Sequence, residues 1–170
     1  YDDVADILSQ LVRTALIPPQ GMKYAVADFS AIEARVISWL ADEKWRLDVF
    51  HGDGKIYEAT GEKMFGVPKS EIKKGSVLRD KSKISELALG YEGGLGALKR
   101  MGGDKMGLSD TEMMSLVRKW RMANPNIVDM WKEIDEASKE AVRYHRAVKC
   151  TSKNVIFDCD GEFMNSKIRK

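Results

Sequence analysis

Only two of the 170 residues are cysteines, and Cys150 and Cys159 form no C-x-x-C pair. Neither a redox dithiol nor a thiolate metal clip is therefore written into the chain. No apolar run is long enough to span a membrane. The acidic start, Tyr1-Asp-Asp, lacks the basic-then-apolar pattern of a secretory signal. These absences predict free thiols in a cytosolic setting. A surplus of one charge is missing as well. Lys and Arg number 28 against 26 Asp and Glu, a net charge of +2, which excludes a uniformly basic nucleic-acid arm. Internal repeats and low-complexity tracts are absent. The chain opens on Tyr1 rather than Met and closes on Lys167-Ile-Arg-Lys170, and is expected to be a piece of a longer polypeptide. Its length suits one core, or one lobe of something larger.

What is present is organised around the stretch from Tyr24 to Leu40. The apolar run Tyr24–Ala27 follows Pro18, Pro19 and Gly21, which reads as a short buried strand after a turn. Asp28 falls at the end of that strand. Ser30 and Glu33 have the spacing of a capping box for a helix reaching about Leu40, with Ile32, Val36, Trp39 and Leu40 as its apolar face. A carboxylate at a strand–helix junction is costly to desolvate without a cation. An Asp that merely caps a turn is the plainer reading of this stretch alone.

Around it, helical spacing runs from Val4 to Leu16 and stops at Pro18. Shorter helices are predicted over 45–51, broken by Gly52-Asp53-Gly54, and over 55–65, closed by Gly66-Val67-Pro68. Residues 69–75 are basic and irregular or a single turn. A strong helix from Ser76 or Val77 to Tyr91 ends at Gly93-Gly94. Next come a short helix over 95–101, a Gly-rich loop over 102–107, and a helix over 110–122 capped by Ser109 with Glu112. A long helix starts at Pro125 and reaches His145. Two strands, 147–151 and 154–158, joined at Ser152-Lys153, complete a mostly helical α+β chain.

Within the strong helix, Arg79, Lys83, Leu87 and Tyr91 recur every four residues and share one drifting side. Two cations near a helix N-terminus oppose the macrodipole by about 0.3–1 kcal/mol each. Their placement makes sense if an anion such as phosphate is held there. Leu87 and Tyr91 then offer surface for a base or sugar. An ordinary solvated charge face, partly neutralised by Asp80, remains the alternative.

Taken together, Asp28-Phe-Ser-x-Ile-Glu-x-Arg35 resembles motif A of the family-A DNA polymerases, and Arg79-x-x-x-Lys83 with Leu87 and Tyr91 resembles their motif B. Lys55-Ile-Tyr-Glu-Ala, Met64-Phe-Gly-Val-Pro68 and Trp120-x-x-x-Asn-Pro125-x-Ile-x-x-x-Trp131 resemble the same family, the last its phage branch. The resemblance covers essentially the whole chain. It implies part of a right-hand polymerase: the start of a palm over 1–42, fingers over 43–146, and strands returning towards the palm over 147–170. The implied activity is template-directed nucleotidyl transfer from a dNTP to a primer 3′-hydroxyl through two Mg²⁺ ions. The implied partners are dNTP, primer–template DNA and the remainder of the polymerase, with no membrane, in the cytoplasm of a bacterial host.

Residue by residue, the resemblance implies Asp28 and the Phe29 carbonyl as metal ligands, and Arg79 and Lys83 as catalytic groups holding the triphosphate. Nucleotide contacts fall to Phe29, Ser30, Ala31, Ile32 and Glu33, and to Tyr57, where the family often has His. They continue through Arg79, Lys83, Leu87 and Tyr91, with Glu33 and Tyr91 set against a ribose 2′-hydroxyl. A sugar-gating Glu33 competes with the capping box, and the motif match favours the gate.

Three departures stand out. Leu87 replaces a common aromatic. Glu92 stands where Gly usually follows the Tyr, which is expected to lengthen the helix or move its hinge to Gly93-Gly94. The His-Asp pair of motif C is missing, because His51 precedes Gly52 and His145 precedes Arg146. A non-catalytic nucleotide or nucleic-acid-binding module is therefore the second reading. Lesser features read plainly. Asp158-Cys-Asp160-Gly161 is a turn sooner than a metal pair. A Cys150–Cys159 bridge is less expected than free thiols. The basic residues of 69–83, with Arg118, Lys119 and Arg121, line a nucleic-acid groove or a solvated face. Gly93-Gly-Leu-Gly96 has no strand before it and no phosphate-loop Lys.

Overall fold

The computed structural model of the protein describes residues 4–150, 155–160 and 164–168. Helix predominates and one small sheet is present, so the class is α+β. The chain divides into two compact units, Tyr1–Ser30 and Ala31–Lys170.

In the first unit, α1 (Val4–Val12) tightens into a 3-10 turn, Arg13–Ala15, and ends before Pro18 as expected. The strand expected over Tyr24–Ala27 is not formed. Residues 22–29 have no regular structure, and Val26 is 92% exposed. Apolar character alone does not make a strand, because its N–H and C=O groups need a neighbour. The described residues of this unit include no strand to supply one.

The second unit packs seven helices among its described residues: α2 (Ile32–Ala41), α3 (Lys44–His51), α4 (Ile56–Phe65), α5 (Val77–Leu89), α6 (Leu95–Arg100), α7 (Asp110–Ala123) and α8 (Pro125–Tyr144). Local chemistry sets their ends. Gly66 closes α4 at φ 69°, in the left-handed region that glycine enters freely. Ser109 and Glu112 form both reciprocal bonds of the expected capping box. Pro125 opens α8, where its missing N–H costs nothing. Residues 69–71 form the single turn anticipated there.

Other ends depart from expectation. The N-cap of α2 is Ala31, held at φ 51°, and no side chain caps the helix, so Ser30 and Glu33 do not form a box. The left-handed Ala31 moves the helix start one residue on and puts Glu33 at its second position. The face of α2 also differs from the predicted one: Ile32, Val36 and Trp39 are exposed, while Ser38 and Ala41 are buried and Ile37 and Leu40 pack on the core. The helix turns this side inward because it lies against α3 and α8. Helix α5 stops at Leu89 rather than Tyr91.

The sheet has the order β1 (Val148–Lys149), β2 (Val155–Cys159), β3 (Met164–Ile168), all antiparallel. The expected hairpin is present, although its turn, Ser152-Lys153, and Gly161 lie outside the described residues. β3 was not foreseen. Its residues are all exposed, so no buried alternation marks it in the sequence. Both cysteines are free and buried. The Cys150 N–H bonds the Val155 carbonyl, which sets Cys159 four positions further along β2, about 13 Å away at strand spacing. A bridge between them is excluded by register.

One core joins α2 and α4–α8 around the fully buried Trp120, which stacks on Trp131 with ring centres 5.9 Å apart. A second, smaller one seats the sheet on the end of α8 through Ala137, Ala141, Val155 and Phe157. Inside the main core runs a polar network. Arg46 grips Glu86 with both terminal nitrogens, at 2.8 and 2.5 Å. Its Nε donates to Ser38 Oγ at 2.7 Å, and Nη1 also donates to Asn124 Oδ1 at 3.0 Å. Thr60 Oγ1 and Trp120 Nε1 donate to Glu86 Oε1 at 2.7 and 2.9 Å. One buried carboxylate thus ties α5 to α3, α4 and α7, and Arg46 carries the tie on to α2.

Glu92, after the end of α5, has φ 59°. It neither lengthens the helix nor sits comfortably, since a left-handed residue with a Cβ costs about 1–2 kcal/mol. Glu92→Gly is expected to stabilise the protein by about 0.5–1 kcal/mol, part of the relief being offset by the freer unfolded chain. A urea titration checks this, and a lowered midpoint would refute it.

Candidate functional site

Helix α5 has two faces because its register sorts them. Ser82, Ser85, Glu86, Ala88 and Leu89 are buried, whereas Lys83 and Leu87 face solvent. Ser76 caps its start by accepting from the Arg79 N–H at 3.3 Å. The predicted stripe therefore exists from Arg79 to Leu87. Tyr91 lies beyond it, on the turn after the helix, and is 74% exposed.

Arg79 is half-buried and already engaged. Its Nε donates to Glu58 Oε1 at 2.6 Å, and its guanidinium carbon stands 5.4 Å from the centre of the Tyr57 ring. Tyr57 and Glu58 come from the first turn of α4. Burial raises the Tyr57 phenol above its ordinary pKa; the carboxylates of Glu86, Glu33 and Glu58 add to this and Arg79 opposes it. Tyr57 thus stays a neutral hydrogen-bond donor and acceptor at ordinary pH. The Glu33 carboxylate is among the charges that act on the Tyr57 phenol, and Arg79 stands over the Tyr57 ring.

Asp28, Phe29 and Ser30 belong to the first unit, on exposed backbone without regular structure. Ala31 is the strained cap of α2, and Ile32 and Glu33 begin that helix on its exposed side. Glu58 and Glu86 were missed by sequence reasoning. Glu86 looks like any polar residue of a helix surface, and its partner Arg46 lies 40 residues away.

The Asp28 carboxylate and Phe29 carbonyl are hard oxygen donors of the kind Mg²⁺ takes. They suit the ion in type but are too few for two ions, and among the described residues no three His, Cys, Asp or Glu side chains converge. Asp158 lies on β2 and Asp160 just after it, and no third such ligand joins them among the described residues. The other basic residues are partly committed: Lys69 to Asp53 at 2.7 Å, Lys119 over the Phe65 ring at 5.0 Å, and Arg121 to the Gly93 carbonyl at 3.3 Å. Among the described residues no helix is long and apolar enough to cross a membrane.

A match to the family described as "DNA polymerase family A" extends over residues 4–153. The chain belongs to DNA polymerase family A. It is 55% identical over 149 residues to the DNA polymerase of Bacillus phage SP02, across 88% of this chain and 23% of that protein. It is also 39% identical over 61 residues to DNA polymerase I of Pseudomonas aeruginosa, across 36% of this chain and 7% of that protein. This family-A chain therefore spans a quarter or less of the length of these relatives. Its match takes in all of the Asp28–Glu33 and Arg79–Tyr91 stretches.

Proposed function

We infer that this chain is the nucleotide-binding part of a template-directed DNA polymerase. Residues 1–42 would open the palm, 43–146 form the fingers, and 147–170 return towards the palm. The observation that carries this reading is the two-faced α5. One side is locked into the core through Glu86, and the other presents Lys83 and Leu87, with Arg79 at its start, in a chain that belongs to family A.

In this reading Arg79 and Lys83 bind and orient the triphosphate, and their charge opposes the negative charge that develops on the transferring phosphoryl group. Tyr57 offers a neutral hydroxyl beside them. Leu87 lies under the base and gives less stacking surface than an aromatic. Glu33 and Tyr91 close on the sugar edge and leave no partner for a 2′-hydroxyl. Divalent metal would supply charge neutralisation and activation of the primer hydroxyl. Asp28 and the Phe29 carbonyl are two of the donors it needs. With no His-Asp pair in the sequence, the second carboxylate has to come from another part of the polymerase, so this chain by itself binds nucleotide without extending a primer.

Primer extension by the full-length polymerase carrying this segment tests the assignment. Asp28→Ala should remove extension by about a thousandfold or more. Glu33→Ala should keep measurable extension but lower the preference for deoxy- over ribonucleotides about tenfold. Full activity of the Asp28 variant, or extension by the isolated chain that Asp28→Ala abolishes, would contradict it.

A further inference from the structure

Glu58 has no part in the reading above, yet it makes the closest contact of the Arg79 guanidinium, Nε to Oε1 at 2.6 Å. The two side chains keep only 18% and 15% of their exposure, so this is not a solvated surface pair. The backbone explains why they meet. One turn after Glu58 comes Gly61, and one turn after Arg79 comes Ser82. A Cβ at Gly61 would stand 2.8 Å from Ser82 Oγ and 2.7 Å from Ile72 Cδ1. The missing side chain lets α4 and α5 approach, which sets Glu58 beside Arg79 and Tyr57 under it.

A cation at the start of α5 opposes the helix dipole, and Glu58 offsets that cost. The same carboxylate leaves Arg79 already neutralised towards an arriving anion. The geometry points to Glu58 as the resident counter-anion of the phosphate site: it holds Arg79 when no nucleotide is bound and yields the guanidinium when a triphosphate arrives. This rests on Arg79 being a phosphate ligand, and it makes Glu58 a determinant of how tightly the triphosphate is held.

Glu58→Gln keeps a hydrogen-bond acceptor near Nε and removes the competing charge. Titration of the chain with dATP should then show affinity about fivefold above wild type, with a steeper loss as salt is added. In an Arg79→Ala background the same substitution should change nothing, which a general effect on folding would not reproduce. Thermal melting identifies a misfolded variant, in which case Glu58→Ser is judged by the same criterion. If Arg79→Ala weakens dATP but Glu58→Gln binds no tighter than wild type, or binds more weakly, Glu58 is not a competitor and the phosphate role of Arg79 stands. If Arg79→Ala leaves dATP binding unchanged, both ideas fall.

Discussion

Glu86→Ala should destabilise the protein by about 3–5 kcal/mol, a large fraction of the stability of a domain this size. The loss comes less from the missing attraction than from what stays behind. Arg46 has 1% side-chain exposure and would be left with Ser38 and Asn124 as neutral partners for a full charge. Thr60 Oγ1 and Trp120 Nε1 would lose their acceptor as well, and an unsatisfied buried donor costs about 1–3 kcal/mol. Arg46→Ala should be comparably harmful for the converse reason. The double variant should cost clearly less than the two single losses added, since neither charge is then stranded. Urea denaturation of the four proteins measures this. A loss under about 1 kcal/mol for either single variant would mean that the pair is hydrated like a surface ion pair.

Gly93→Ala should also be severe, about 3 kcal/mol, for a purely steric reason. A Cβ at Gly93 would lie 1.9 Å from the Ala88 carbonyl oxygen and 2.9 Å from the Ala97 Cβ. Backbone cannot step aside like a flexible side chain, so the end of α5 would have to move and Tyr91 with it. Gly94 is the control. Nothing lies within 4 Å of where a Cβ at Gly94 would stand, and its φ is −132°, so Gly94→Ala should fall within about 0.5 kcal/mol of wild type. Equal midpoints for the two variants would show that the backbone around Gly93 has room for a Cβ.

The contrast between these positions also marks what was legible in the sequence. Glycine punctuation at 93–94 announced the end of α5, but not which glycine the packing requires. Helices α3 to α8 were readable because spacing, caps and breakers agree locally. Ser109 and Glu112 show this, with both capping bonds formed. Ser30 and Glu33 have the same spacing and fail, because a left-handed Ala31 intervenes. The strand at Tyr24–Ala27 could not be judged from its own residues, since a strand depends on a neighbour. The outward side of α2 was misjudged because apolar spacing does not say which side finds a partner. The shared side of Arg79, Lys83 and Leu87 was legible from their four-residue spacing, whereas Tyr57 is singled out by the family resemblance alone. Glu58 and Glu86 were not, because each is an ordinary helical Glu until the fold brings an arginine to it.

If the start of α5 binds the phosphates of a nucleotide, titration of the chain with dATP will show it. At low salt, Arg79→Ala and Lys83→Ala should each weaken binding about tenfold, as expected for loss of a charge-assisted contact. Wild-type affinity should fall as salt approaches about 0.5 M, where charge interactions are screened within a few ångströms. Binding that neither substitution changes and that salt leaves untouched would contradict a phosphate site at this helix.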